Sequence, residues 1–258
     1  MRERRAVGAR GRRTRRPPAA RALWGCGELA VTLGAVLLLL VVHQLWWTNF
    51  QAQHAAQDRV GQLESGWARG AAPGAGATAD GPQASGAAPA ATAQPGSTAR
   101  PAADPPPRPG LGYAVLRIPR IGLRAPVAEG VGRAAVLNHG YVGHYSHTAQ
   151  PGDAGNVALA GHRNTHGEPF RRLDRLRPGD TVRIDTARAR YRYVVRSVLP
   201  RTSPSDTAVI AAVPHSSVHP SYGFTAPGSY LTLTTCTPEF TSTYRLVVWA
   251  ELRSASPR

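Results

Sequence analysis

Hydrophobic and polar residues divide the chain into an apolar stretch, a low-complexity stretch and a region of short alternating segments. The apolar stretch, 29–47, has no formal charge and is long enough to cross about 30 Å of hydrocarbon as a helix. The low-complexity stretch, 68–110, is almost wholly Ala, Gly, Pro, Ser and Thr, so it buries too little apolar surface to offset the entropy of ordering. From residue 111 onwards, alternation interrupted by glycine and proline predicts a folded β domain.

This pattern predicts five segments. In chain order they are a basic cytoplasmic tail (1–21), a transmembrane anchor (22–48), a polar juxtamembrane segment without an assigned role (49–67), a disordered Ala/Pro/Gly linker (68–110) and the folded domain (111–253). Trp46 and Trp47 end the anchor like an interfacial aromatic belt, and the tail arginines mark the other end as cytoplasmic. A cleaved signal peptide is the alternative, but its apolar core is usually shorter and a small-residue cleavage site follows it. We therefore expect a single-pass cell-membrane protein with an extracellular folded domain.

The folded domain should be mainly β, with about eight strands and one or two short helices. The predicted strands are 113–118, 121–127, 156–160, 181–185, 191–199, 207–212, 231–235 and 244–252. The segment 168–176 has apolar residues at helical spacing instead. Short strands separated by Gly and Pro turns predict a closed β-barrel or a sandwich.

The charge of the chain changes this picture little. All 31 basic residues are arginines, the net charge is +16, and the tail contributes +8 while residues 111–258 contribute +9. A basic tail and a basic domain are compatible with nucleic-acid binding. Because an apolar span follows the tail, we interpret its arginines as topology determinants and expect the membrane, not nucleic acid, as the partner.

The cysteines point to chemistry. Cys26 lies at the cytoplasmic edge of the anchor, so Cys236 is the only cysteine of the folded domain and forms no disulfide there. An unpaired thiol outside the cell is a liability unless it is buried or used. Cys236 ends a predicted strand, Arg245 lies near the start of the next strand, and His162 follows the strand 156–160. The three residues therefore predict a nucleophile, a permanent cation and a proton carrier, with a buried inert cysteine as the alternative.

The motif Thr-Leu-Thr-Thr-Cys at 232–236, with Arg245 nine positions later and His162 in Ala-Gly-His-Arg, resembles the sortases. These are cell-wall transpeptidases of Gram-positive bacteria. The Gly-His-Tyr sequence at 143–145 is similar to the class E subgroup of actinobacteria. The resemblance covers the folded domain, fits the anchor and linker as well, and implies an eight-stranded β-barrel.

The resemblance also implies roles for the three residues. Cys236 would attack the Thr–Gly bond of an LAxTG- or LPxTG-like sorting signal at the C-terminus of a secreted protein and form a thioester. His162 would protonate the departing Gly amine and then take a proton from the incoming amine. Arg245 would stabilise the oxyanion or position the substrate backbone. The incoming amine would belong to a lipid II-type peptidoglycan precursor.

Three further residues are predicted to shape the substrate site, namely Thr235, His144 and Tyr222, although a plain strand position for Thr235 and core packing for Tyr222 are equally good interpretations. The histidines at 139, 144 and 147 have a spacing that suggests a metal. Because no acidic or cysteine ligand lies near them, we predict loop histidines, no metal and no cofactor. His166 is predicted to be a solvated turn histidine.

Two other classes of protein share some of these features. An L,D-transpeptidase also uses Cys and His on a β-rich fold, but its cysteine follows Ser-His-Gly, whereas Thr-Thr precedes Cys236 here. A membrane-tethered binding domain would use the +9 charge to contact anionic wall polymers, but it gives no reason for the Cys, His and Arg set. A papain-like protease is disfavoured because its cysteine opens a helix.

Overall fold

The computed structural model of the chain describes residues 18–71, 104 and 106–258. The predicted basic tail, apart from its last residues, and most of the predicted linker lie outside the described residues, so both stay predictions. The chain divides into two compact units, Met1–Trp46 and Trp47–Arg258.

The predicted anchor and the predicted juxtamembrane segment belong to one helix, α1, at Pro18–Ala71. Among the described residues, it is the helix that is long and apolar enough to cross a membrane, with a mean hydropathy of 2.2 in its most apolar window. In the first unit its large apolar side chains are exposed, for example Leu29, Val36 and Leu40. The helix continues beyond residue 67, where the sequence pattern had placed the start of the linker.

The predicted eight-stranded barrel is confirmed. Its strands are β1 (Gly112–Ile118), β2 (Leu123–Glu129), β3 (Val142–His144), β4 (Gly155–Ala160), β5 (Thr181–Asp185), β6 (Ala189–Thr202), β7 (Ser229–Thr237) and β8 (Tyr244–Pro257). They close in the order β1-β2-β3-β4-β7-β8-β6-β5. β4 and β7 run parallel, and β7 and β8 run antiparallel.

The predicted strand at 207–212 is wrong. A 3-10 helix at Thr207–Ile210 occupies this position. The carbonyl of Val209 accepts a hydrogen bond from the Trp249 indole at 3.1 Å, so a side chain satisfies it in place of a strand neighbour. A short apolar run fits a buried turn as well as a strand, because both bury the same side chains.

The helical spacing at 168–176 produces only a 3-10 helix at Leu173–Arg175. Phe170, Leu173 and Leu176 are all buried in the barrel core, so the apolar positions were identified correctly but the helix is much shorter. The main-chain N–H of Phe170 donates to the carbonyl of His162 at 3.0 Å. This segment therefore closes the end of the barrel at which His162 lies.

Candidate active site

The pairing of β4 with β7 brings two of the predicted residues to one end of the barrel. The last pair of this parallel ladder is Ala160 with Thr234. His162 lies two residues beyond the end of β4, and Cys236 lies two residues further along β7. Because parallel strands advance at the same rise per residue, His162 and Cys236 leave the ladder side by side.

Polar contacts hold the two strand ends together beyond the ladder. The hydroxyl of Thr235 donates to the carbonyl of Gly161 at 2.8 Å. The buried guanidinium of Arg163 donates to the Thr237 hydroxyl at 2.9 Å and to the Cys236 carbonyl at 3.4 Å. The chain on either side of the thiol is thus fixed to the chain on either side of His162. Sequence reasoning missed Arg163, although it directly follows the histidine.

Arg245 lies directly opposite Cys236 in the antiparallel pairing of β7 and β8. Residues in such a pair share a face of the sheet, with about 4.5–5.5 Å between their Cβ atoms. The Arg245 guanidinium donates to the carbonyls of Ser242 and Tyr244, both at 3.0 Å, and among the described residues no carboxylate forms an ion pair with it. The guanidinium of the residue paired with Cys236 is therefore not neutralised by a carboxylate of the described residues.

The Cys236 side chain is partly exposed and unpaired. A reagent or substrate can therefore reach the thiol, and the alternative of a fully buried, inert cysteine does not fit. The structure places Cys236, His162 and Arg245 at the same barrel end.

Asn138 holds the imidazole of His162. Its Oδ1 lies 3.0 Å from Nε2 of the ring, and because an amide oxygen only accepts, Nε2 carries the proton and Nδ1 keeps the lone pair in the neutral ring. Asn138 lies in a 3-10 helix at Leu137–His139. No sequence motif marked it, because its role arises only from a contact between residues distant in sequence.

The surroundings of His162 favour its neutral form. Burial lowers the pKa of the imidazole, and the positive charges of His166 and Arg133 lower it further. The ring centroids of His162 and His166 are 5.3 Å apart. His166 lies in a turn, as predicted, and it is partly buried. Its left-handed φ of 52° turns the chain back, which places the second ring beside the first.

The remaining predicted residues lie in different surroundings. His144 is fully buried on β3, with Nδ1 2.7 Å from Glu129 Oε2 and Nε2 2.9 Å from Thr148 Oγ1, so its assignment as a loop histidine is wrong. The three-residue strand that carries it is too short to show alternation. Tyr222 is partly buried against a small apolar cluster that includes Trp249. Among the described residues, no group of three His, Cys, Asp or Glu side chains is arranged to hold a metal ion.

Asp206 organises the loop between β6 and β7, next to the strand pair that carries Arg245. Its carboxylate accepts hydrogen bonds from Thr202 at 2.7 Å, Ser216 at 2.5 Å and the main chain of Ser217 at 3.0 Å, and Thr202 is the ladder partner of Arg245. Burial raises the pKa of Asp206, but these hydrogen bonds outweigh it, so that its pKa lies below the usual range. The charged carboxylate therefore anchors this loop beside the site.

We predict that replacing His166 by Gln raises the pKa of His162, because it removes a neighbouring ring whose positive charge repels the imidazolium. The measurement is an NMR titration of the His162 ring. The matched control is His147→Gln, which replaces an exposed histidine that also has a positive φ and should leave the pKa of His162 unchanged. An unchanged or lower pKa of His162 in His166→Gln would contradict this description of the pair.

Comparisons with known proteins agree with this geometry. A family model described as the Sortase domain matches residues 116–253. The chain is 41% identical over 253 residues to Sortase SrtE1 of Streptomyces coelicolor, covering 95% of this chain and 62% of that protein. It is 34% identical to Sortase SrtE2 of the same organism, covering 97% of this chain and 89% of that protein.

Solved structures give the same result. The crystal structure of Sortase E1 from Streptomyces coelicolor with a tripeptide in the active site superimposes with a TM-score of 0.55 at 47% identity, covering 59% of this chain and 94% of that chain. Sortase E from Streptomyces avermitilis superimposes with a TM-score of 0.51 at 40% identity, covering 58% of this chain and 93% of that chain. With its closed eight-stranded barrel and its Cys, His and Arg at one end, this chain belongs to the sortase family.

Proposed function

We propose that this chain is a membrane-anchored cysteine transpeptidase that acts through Cys236, His162 and Arg245. The observation that carries the proposal is the register of β7, in which Cys236 pairs with Arg245 on one side and leaves the β4 ladder beside His162 on the other. A reachable thiol, a permanent cation and an imidazole suit acyl transfer, since the reaction needs a nucleophile, a proton carrier and a stabiliser of negative charge.

In the first step, the thiol of Cys236 gives its proton to neutral His162 and the sulfur attacks the carbonyl carbon of a peptide bond. The imidazolium then delivers this proton to the departing amine, so that the C–N bond breaks and a thioester remains. Because burial and nearby charge lower the pKa of His162, its imidazolium is a stronger acid toward the amine.

In the second step, an incoming amine attacks the thioester carbonyl. The neutral His162 ring accepts a proton from that amine and returns one to the sulfur as the C–S bond breaks. A new amide forms and the Cys236 thiol is restored. The hydrogen bond from Nε2 to Asn138 leaves Nδ1 as the basic atom of the neutral ring.

Arg245 supplies a fixed positive charge throughout the cycle, because guanidinium does not lose its proton in proteins. Its two main-chain carbonyl partners hold the side chain in place without neutralising it. It therefore suits stabilisation of the oxyanion or positioning of the substrate backbone, and not proton transfer.

We assign as substrates the secreted proteins that carry a C-terminal LAxTG- or LPxTG-like sorting signal, cleaved between Thr and Gly. The acceptor is the amine of a lipid II-type peptidoglycan precursor. The tripeptide in the active site of the Sortase E1 structure supports a peptide substrate. The length and apolarity of α1 support a single-pass location in the cell membrane. The arginine-rich tail at 1–21 supports a cytoplasmic N-terminus and therefore an extracellular barrel.

Two of the residues first predicted to shape the substrate site stay in this proposal. Thr235 fixes the chain beside the thiol through its hydrogen bond to Gly161, and Tyr222 belongs to the loop between β6 and β7. We leave His144 out because its ring is fully buried.

We predict that Cys236→Ala abolishes transpeptidation by the full chain in detergent, because no thioester can form. The measurement is mass spectrometry of the products from a quenched LAxTG peptide and an amine acceptor, with parallel detection of the acyl-enzyme. Cys26→Ala is the matched control and should retain activity, since Cys26 lies on α1 in the other compact unit. Failure of the folded wild-type chain to form an acyl-enzyme with LAxTG or LPxTG peptides would favour a binding domain instead.

We further predict that Asn138→Ala lowers kcat by about tenfold. This is a part of the ~10²–10⁴-fold rate acceleration that a positioned proton carrier contributes. The reason is that His162 loses the acceptor that fixes its tautomer. Steady-state kinetics should show little change in KM. Asn138→Asp, which keeps an acceptor and adds a negative charge, should restore much of kcat and move the pH profile upward, because the charge favours imidazolium. Equal kcat in Asn138→Ala and the wild type would contradict a positioning role.

A further inference from the structure

The segment 47–71 of α1 packs on the barrel through one face. Ala52, Ala56 and Val60 are all buried, and their spacing of four residues places them on the same side of the helix. Residues between them, such as Gln53 and Gln57, are exposed. Small alanine side chains let the helix backbone lie close to the barrel, so this part of α1 is a docked element of the second compact unit.

One end of the docked face contacts the loop that follows His162. Asn49 donates from Nδ2 to Glu168 Oε1 at 2.6 Å and accepts at Oδ1 from the main-chain N–H of Gly167 at 3.3 Å. The Gln53 amide lies 3.5 Å from the Gly167 carbonyl. The side chain of Asn49 thus bridges two consecutive residues of this loop.

The same end of the helix contacts the turn that carries Asn138. Gly140 ends this turn with a φ of 75°, and a Cβ at Gly140 would lie only 2.7 Å from the carbonyl oxygen of Ala52 and 3.3 Å from that of His166. The turn, the helix and the loop after His162 therefore meet with no space for a side chain between them.

We propose that the part of this segment at 49–53 is a positioning element for His162. It fixes both supports of the imidazole, namely the turn with Asn138 and the loop with Gly167. Displacement of residues 49–53 would loosen the His162 ring while the barrel, with its own closed hydrogen bonding, stays folded. The predicted juxtamembrane segment, which the sequence left without a role, would then tie the anchor to catalysis. The catalytic part of this inference rests on the proposed function.

The other contacts of the docked face lie elsewhere and provide controls. Gln57 donates to the carbonyl of Arg124 on β2 at 2.9 Å, and Glu64 forms ion pairs with Arg117 and Arg124. These contacts hold the helix to β1 and β2, and none of them involves the turn of Asn138 or the loop after His162.

The test compares Asn49→Ala with Gln57→Ala in the full chain. Each variant removes one side-chain amide that links the helix to the barrel, but only Asn49 contacts the loop after His162. Asn49→Ala should lower kcat by about tenfold with little change in KM. Misplacing a reacting group by about 1 Å can lower the rate by as much as ~10²-fold, so a tenfold loss corresponds to a small displacement. It should also shift the pKa of His162 in an NMR titration. Gln57→Ala should change kcat less than about twofold and leave that pKa unchanged, even where both variants lower Tm equally.

A second pair, Ala52→Leu and Ala56→Leu, overpacks the same buried face at two points. Only Ala52→Leu should alter kcat and the pKa of His162, because Ala52 contacts Gly140. Two results would overturn the proposal. One is that the two variants of each pair change kcat and the pKa of His162 equally, and the other is that this pKa is unchanged in Asn49→Ala and Ala52→Leu. The NMR titration needs no turnover, so it decides this inference even where the wild-type chain lacks transpeptidase activity.

Discussion

The parallel pairing of β4 with β7 is the constraint on which the site depends. These strands are distant in sequence, and their register determines that His162 and Cys236 leave the sheet together. A slip of one residue between β4 and β7 would place the side chains of β7 on the opposite face relative to β4, so that Cys236 would no longer leave the ladder beside His162. The buried Thr232 hydroxyl, which donates to the Asn156 side chain on β4 at 2.9 Å, fixes this register from within, because a slipped register would leave these polar groups unpaired.

The chemistry of the site follows from how each group is held. Hydrogen bonds to two carbonyls orient Arg245 but leave its charge available. His162 lies among groups that disfavour its cation, and Asn138 selects its tautomer. In the proposed mechanism, a neutral His162 moves one proton from the sulfur to the departing amine, and the fixed charge of Arg245 is unchanged. The acyl transfer in this mechanism therefore depends more on the positions of the three side chains than on large shifts of their pKa values.

The sequence predicted the barrel, and it singled out the three residues of the proposed site, because those signals are local. Alternation marks each long strand, and Cys236, His162 and Arg245 stand at strand ends that alternation also marks. The failures involve long-range contacts. Asn138 contacts His162, a residue distant in sequence that follows the end of β4. The run at 207–212 forms a 3-10 helix whose Val209 carbonyl is bonded by Trp249. The docked face of α1 is marked in the sequence by the spacing of four residues between Ala52, Ala56 and Val60. This pattern is hard to recognise, because alanines are only weakly hydrophobic and the chain is rich in them.

The most direct test of the account is a crystal structure of this chain with a sorting-peptide analogue bound covalently to Cys236. The account predicts that the former carbonyl oxygen of the analogue lies within hydrogen-bond distance of the Arg245 guanidinium, with the His162 imidazole near the position of the departing amine. An adduct on Cys236 whose oxygen points away from Arg245, or a His162 ring too distant to exchange a proton with the leaving group, would contradict the roles assigned to these residues.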